Sequence, residues 1–191
     1  MSEQTKLRIT GLLMLAAFPL YGGGQALLPT ANWPLGLALV LANSVGVILI
    51  GLLMRSVIAD TSSRTAVTYL AGRIAEGVLL AIGGLSVVST SIGWGLSGED
   101  YYHLGMTSLG LVSLTMCMWL VASRRVANFI GWFGFVGYLC LVAAMVAAVR
   151  GFGELSLYLL IPGAIFELIF GVLLIMGRVK SAEAAGKPIR T

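Results

Sequence analysis

Six continuously apolar runs divide the chain, at 7–28, 34–58, 66–89, 101–122, 127–149 and 155–177. Each is long enough to cross a hydrocarbon core of about 30 Å as an α-helix rising about 1.5 Å per residue. The runs do not alternate polar and apolar positions with period two, which disfavours a transmembrane β-barrel. Polar punctuation separates them. Pro29-Thr30-Ala31-Asn32-Trp33-Pro34 reads as a two-proline turn, Asp60-Thr61-Ser62-Ser63-Arg64 as a loop with a cap, and Ser97-Gly98-Glu99-Asp100 as a helix start. The pattern predicts an all-α, polytopic transmembrane helical bundle with six spans.

Composition strengthens that reading. Of the 191 residues, 58% are hydrophobic and 10% charged, against about 25% charged in a soluble domain. The mean hydropathy of +0.97 leaves an apolar surface that only a lipid bilayer would cover. Residues 1–191 are expected to form a single transmembrane domain with a short cytoplasmic tail, 178–191, and no soluble catalytic domain. Ten of the twelve basic residues fall at one end: Lys6, Arg8, Arg55, Arg64, Arg124, Arg125, Arg178, Lys180, Lys187 and Arg190. The positive-inside rule then makes both termini cytoplasmic. The other end carries Glu99, Asp100 and Glu154 against Arg150, which is unlike a nucleic-acid surface. The first run also has the outline of a cleavable signal, with Lys6 and Arg8 before it and Gly24-Gln25-Ala26 near its end. It continues apolar through Leu27 and Leu28 and is expected to be retained.

Cys117 and Cys140 come out at different depths and are read as unpaired packing residues. His103 stands beside Tyr101 and Tyr102, where an interfacial aromatic belt belongs. No spacing of Cys, His, Asp or Glu fits a metal or haem site, and no cofactor is expected.

The candidate chemistry lies at depth. Arg73, Glu76 and Glu167 sit inside apolar runs, where a charge costs ~2.5 to 3.5 kcal/mol on insertion scales and faces the bundle interior. Counted along the helices, Arg73 lies about 10 Å and Glu76 about 15 Å from one face, and Glu167 about 18 Å from the other. Glu76 and Glu167 therefore share the midplane, with Asn43 and Tyr138 at similar depth. Arg73 and Glu76 are i,i+3 neighbours. Gly163 and Gly171 flank Glu167 by one turn each way and are read as leaving room around it or as packing contacts. Two carboxylates and one guanidinium sum to −1, a charge too costly to leave buried. The expected arrangement pairs Arg73 with Glu76 and leaves Glu167 to hold a proton, a cation or a cationic ligand.

Pro162 in the last run and Pro19 with Gly22-Gly23-Gly24 in the first are read as structural accommodations. Gly77-Val78-Leu79-Leu80-Ala81-Ile82-Gly83 matches Gly171-Val172-Leu173-Leu174-Ile175-Met176-Gly177 at five of seven positions. That hints at two inverted halves in which Arg73 corresponds to Glu167. The stripe Gly131, Gly134, Gly137 suits close helix approach, and glycine-rich faces of this kind are the candidate contact for a homodimer.

Three motifs carry a family resemblance: Arg73-Ile74-Ala75-Glu76-Gly77, Arg124-Arg125 leading to Gly131-Trp132-Phe133-Gly134, and Ile161-Pro162-Gly163-Ala164-Ile165-Phe166-Glu167-Leu168. From Lys6 to Arg178 the chain resembles an uncharacterised family of bacterial six-helix membrane proteins, a domain of unknown function. The resemblance implies residence in a bacterial plasma membrane and brings no activity, cofactor or catalytic residue.

The leading function is a proton-coupled small-solute transporter or ligand-binding bundle built on Arg73, Glu76, Glu167, Asn43 and Tyr138. Its partners are the bilayer and a small ligand, proton or cation. The alternatives are a membrane enzyme on a lipid-soluble substrate, with Glu167 as proton donor, and an accessory subunit whose buried charges only fix helix register.

Overall fold

The structure, a computed structural model, describes residues 1–89 and 95–179. It contains α1 (Glu3–Leu27), α2 (Trp33–Ile58), α3 (Ser63–Val88), α4 (Gly98–Ala122), α5 (Asn128–Val149) and α6 (Gly153–Ile175). All six are long and apolar enough to span a bilayer. The chain is an all-α, multi-pass membrane protein. Lys180, Lys187, Arg190 and the rest of the tail beyond Val179 lie outside the described residues.

Three helices begin three or four residues before their apolar runs, because polar caps extend them. The Ser2 and Ser62 hydroxyls accept from the Thr5 and Thr65 N–H groups. Ser97 accepts from the Asp100 N–H at 3.1 Å while Asp100 accepts from the Ser97 N–H at 2.8 Å, a reciprocal capping box. At the other extreme α6 stops short of 177. Gly177 takes a left-handed φ of 69°, and Arg178 N–H turns back to the Leu173 carbonyl.

Each helix packs on its successor, and α6 returns to α1. The six therefore close a ring in chain order, with α1 opposite α4 and with the start of α1 and the close of α6 at one end, the terminal end. Side chains such as Val67, Leu111, Val146 and Leu157 are more than half exposed on the outside, the surface that lipid covers. Glycines set the close approaches within the ring. A Cβ at Gly131 would meet Val121, one at Gly134 would meet Phe166, and one at Gly137 would lie 3.1 Å from the Gly163 Cα. The α5 stripe is thus filled inside the chain by α4 and α6, the close helix approach expected of it.

The packing does not follow an inverted repeat. In two equivalent halves α3 would stand for α6 and α2 for α5. Gly77 packs on Ser44 and Ile48 of α2, but Gly171 packs on Leu15 of α1. The two matching runs therefore face neighbours that such a symmetry does not relate.

One loop cation folds inward. Arg125 is 1% exposed, donates from Nη1 to Glu3 Oε1, and lies with its guanidinium carbon 5.0 Å from the centre of the Trp119 ring. Trp119 in turn donates from Nε1 to Thr61 Oγ1 at 2.6 Å. The terminal end of the ring is tied across α1, the α2–α3 loop and α4. Cys117 and Cys140 are free thiols.

Candidate functional site

Tyr69, Arg73 and Glu76 follow one another along one face of α3, and that face turns inward. Gly51 of α2 makes the approach feasible, since a Cβ there would sit 2.7 Å from the Arg73 Cβ. Arg73 donates from Nη1 to Glu76 Oε2 at 2.8 Å and from Nε to Tyr69 Oη at 2.9 Å. Its guanidinium carbon lies 5.4 Å from the Tyr69 ring centre. The pair is buried, Arg73 at 3% and Glu76 at 2% exposure, so each charge depends on the other for compensation.

Glu167 joins from α6. The Tyr138 hydroxyl of α5 donates to Glu167 Oε1 at 3.0 Å. Tyr138 is held edge-to-face against Phe166, with ring centres 5.6 Å apart. From α2 comes Asn43, 3% exposed, whose Oδ1 has no hydrogen-bond partner.

These groups meet at a cavity of about 270 Å³ inside the ring. Asn43, Arg73, Glu76 and Glu167 lie on its wall, and Tyr138 backs Glu167 from behind. The remaining wall is mostly apolar, from residues such as Val47, Ile50, Leu80 and Leu109. Tyr21 of α1 and Tyr102 of α4, also on the wall, stack across the ring with centroids 5.5 Å and planes 15° apart. Tyr102 lies about 6 Å along α4 from the end opposite the termini, and Glu167 about 21 Å along α6 from that same end. The tyrosine pair therefore stands between the carboxylates and that end of the bundle.

All five residues singled out from the sequence come together, four on the wall and one behind it. Tyr69, Tyr21 and Tyr102 were not among them. Tyr69 was visible as the residue one turn before Arg73. Tyr102 looked like part of an interfacial belt, and nothing in Tyr21 itself marked a partner on a distant helix. Gly163 and Gly171 act as packing contacts: a Cβ on Gly163 would lie 3.1 Å from the Gly137 carbonyl oxygen and one on Gly171 3.0 Å from Leu15. The space beside Glu167 comes from the lumen of the ring.

Among the described lining residues Arg73 is the one basic group, against Glu76 and Glu167. Fully ionised, the wall carries an excess of one negative charge. No group of three or more His, Cys, Asp or Glu among the described residues could hold a metal ion. Chemically, the site offers a carboxylate able to take up a proton or a cation, beside a neutral ion pair and an unpartnered amide oxygen.

The fold and this interior site define a six-span membrane protein with a largely apolar cavity that carries one charged cluster. Residues 95–177 match the family described as Domain of unknown function (DUF4386), so α4 to α6 are similar to an uncharacterised family. The match takes in Tyr138 and Glu167 but leaves Arg73 and Glu76 outside it, and is narrower than the likeness from Lys6 to Arg178 drawn from the sequence. No curated protein and no solved structure matches the chain.

Proposed function

We propose that the protein is a proton-coupled small-solute transporter or ligand-binding bundle of the bacterial plasma membrane, with both termini on the cytoplasmic side. The observation that carries this reading is the unequal charge on the cavity wall, two carboxylates against one guanidinium. Arg73 is engaged with Glu76, so the surplus rests on Glu167. Glu167 is part-buried on the cavity wall, and a proton there removes the cost of an uncompensated charge inside the bundle. A solute entering the same cavity meets that carboxylate and exchanges with its proton, which is the elementary step of coupling. The basic residues gathered at the terminal end support the orientation.

The test is an acid titration of the purified full chain, followed by infrared difference spectroscopy of its carboxyl groups. Wild-type protein should show a protonated carboxyl that Glu167→Gln lacks. Identical spectra across the titration would remove the proton-coupled reading and leave a bundle locked by its buried charges.

A further inference from the structure

Resting on the site proposed above and naming its solute, we infer that the cavity binds a small hydrophobic organic ammonium, its N–H groups held by Glu167 and Asn43, in exchange for the Glu167 proton. Charge selects among solutes first, since the wall holds two carboxylates against one guanidinium. Two of the Arg73 nitrogens already serve Glu76 and Tyr69. Asn43 Oδ1 has no donor at all, and Glu167 receives one from Tyr138 at Oε1. A carboxylate or phosphate solute would bring more acceptors and more negative charge to this wall. A neutral solute would leave the charge excess untouched. A proton on Glu167 corrects the charge but gives Asn43 nothing.

A metal dication fits no better, since calcium takes six to eight oxygen ligands and magnesium keeps a hydrated octahedron, whereas most of this wall is hydrocarbon. An alkylammonium matches every part. Its charge cancels the excess, its N–H groups meet Glu167 and Asn43, and its carbon body lies against Val47, Ile50 and Leu80. Tyr21 and Tyr102 on the same wall offer ring faces, which attract cations. At about 270 Å³ the cavity is just below the ~300 to 1,000 Å³ of drug-sized sites, so the solute is small.

The exchange balances without a further reactant. The ammonium enters as its carboxyl partner loses H⁺, the proton leaves to water, and no covalent bond besides that O–H is broken. The titratable and charged groups whose charge acts on Glu167 are Arg73, Glu76 and Tyr69 of α3, Tyr102 and Cys117 of α4, and Tyr138 of α5. Tyr21 of α1 lies on the same cavity wall, and α2 contributes the uncharged Asn43.

Three solutes of equal chain length provide the test: n-hexylammonium, n-hexanol and n-hexanoate, added to the full chain in detergent. Binding is followed by calorimetry and released protons by an indicator dye. Hexylammonium should bind with proton release, and its affinity should fall about tenfold per pH unit where Glu167 keeps its proton. Hexanol and hexanoate should bind at least about tenfold more weakly, as expected for loss of a charge-assisted hydrogen bond. Glu167→Gln should abolish the proton release. Asn43→Leu, close in size and without the unpartnered Oδ1, should weaken hexylammonium about tenfold while leaving the unfolding midpoint in detergent within a few degrees of wild type.

Absence of hexylammonium binding, equal binding of the other two solutes, or undiminished binding to Glu167→Gln overturns the ammonium assignment. The acid titration then decides the fate of the broader reading. Proton uptake that depends on Glu167 leaves the proton-coupled site standing with another solute class; identical titrations of wild type and Glu167→Gln remove both.

Discussion

The Tyr138 hydroxyl of α5 meets Glu167 Oε1 of α6 at 3.0 Å, from a ring packed edge-to-face on Phe166. Tyr138 is itself completely buried. Tyr138→Phe keeps the ring and deletes only the donor. Stability in detergent should fall by about 1 to 2 kcal/mol, the loss expected for a buried hydrogen bond to a carboxylate. The infrared band of the Glu167 carboxyl should shift as its partner is lost. An unchanged band would show that the hydroxyl does not engage Glu167.

The stacked pair Tyr21 and Tyr102 crosses the ring between opposite helices. Replacing Tyr102 with Ala removes one half of that cover and should open the cavity toward the end opposite the termini. In a background lacking Cys117 and Cys140, a cysteine at Val47 should then react faster with a small water-soluble thiol reagent than it does with Tyr102 intact. Equal rates would mean that the pair does not control access from that end.

The helices were legible because a bilayer demands long apolar runs, and a water-soluble fold has little use for six of that length. Their starts were legible in part: the polar stretches at Ser62 and Ser97 were read as a cap and a helix start, but the Ser2 cap that carries α1 past its apolar run was not. Depth was legible too, because a fixed rise per residue places Arg73, Glu76 and Glu167 along the membrane normal. Position around the ring was not, as it depends on which helices become neighbours, and so Tyr21 and Tyr102 went unpaired. Arg125 shows the same limit. A charge count assigns it to an end of the bundle but cannot say that it folds back onto Trp119 and Glu3. The glycine stripe of α5 was read correctly as a close-approach surface, but whether α4, α6 or another copy fills it is a matter of topology.

Gly11 of α1 and Gly22 of the same helix should respond in opposite ways to alanine. A Cβ at Gly11 would lie 2.5 Å from the Gly171 backbone oxygen, whereas one at Gly22 has nothing within 4 Å. Backbone cannot rotate away as a side chain can. Gly11→Ala should therefore push α1 off α6 and cost about 1 to 3 kcal/mol. Gly22→Ala should be neutral or stabilise by up to ~1 kcal/mol through helix propensity. Unfolding midpoints of the two variants in one detergent decide the matter.

Arg125 should behave as a structural cation. Arg125→Gln removes the charge facing Glu3 and the guanidinium plane over Trp119, and should destabilise by about 3 kcal/mol. Arg125→Lys restores charge without the planar group and should recover only part of that loss. Exposed Arg55 supplies the control, because Arg55→Gln should change stability by no more than ~0.5 kcal/mol.

The buried Arg73–Glu76 pair and the part-buried Glu167 predict an asymmetry between two variants that each break the same ion pair. Arg73→Met leaves Glu76 and Glu167 facing one cavity with no guanidinium, so the excess rises to two negative charges and both acids must be neutralised. Glu76→Gln leaves Arg73 with Glu167 on the opposite side of that cavity, and those two charges cancel. Breaking a buried pair from one side costs ~3 to 5 kcal/mol. Arg73→Met should lie at the upper end of that range and Glu76→Gln clearly below it. The double variant should be more stable than the sum of the two losses, since neighbours that share a partner are not additive. Glu76→Gln should also lose proton uptake at Glu167, which would now be held as a carboxylate by Arg73. Equal destabilisation by the two single variants, measured by reversible unfolding in detergent micelles, would show that Glu167 takes no part in the charge balance.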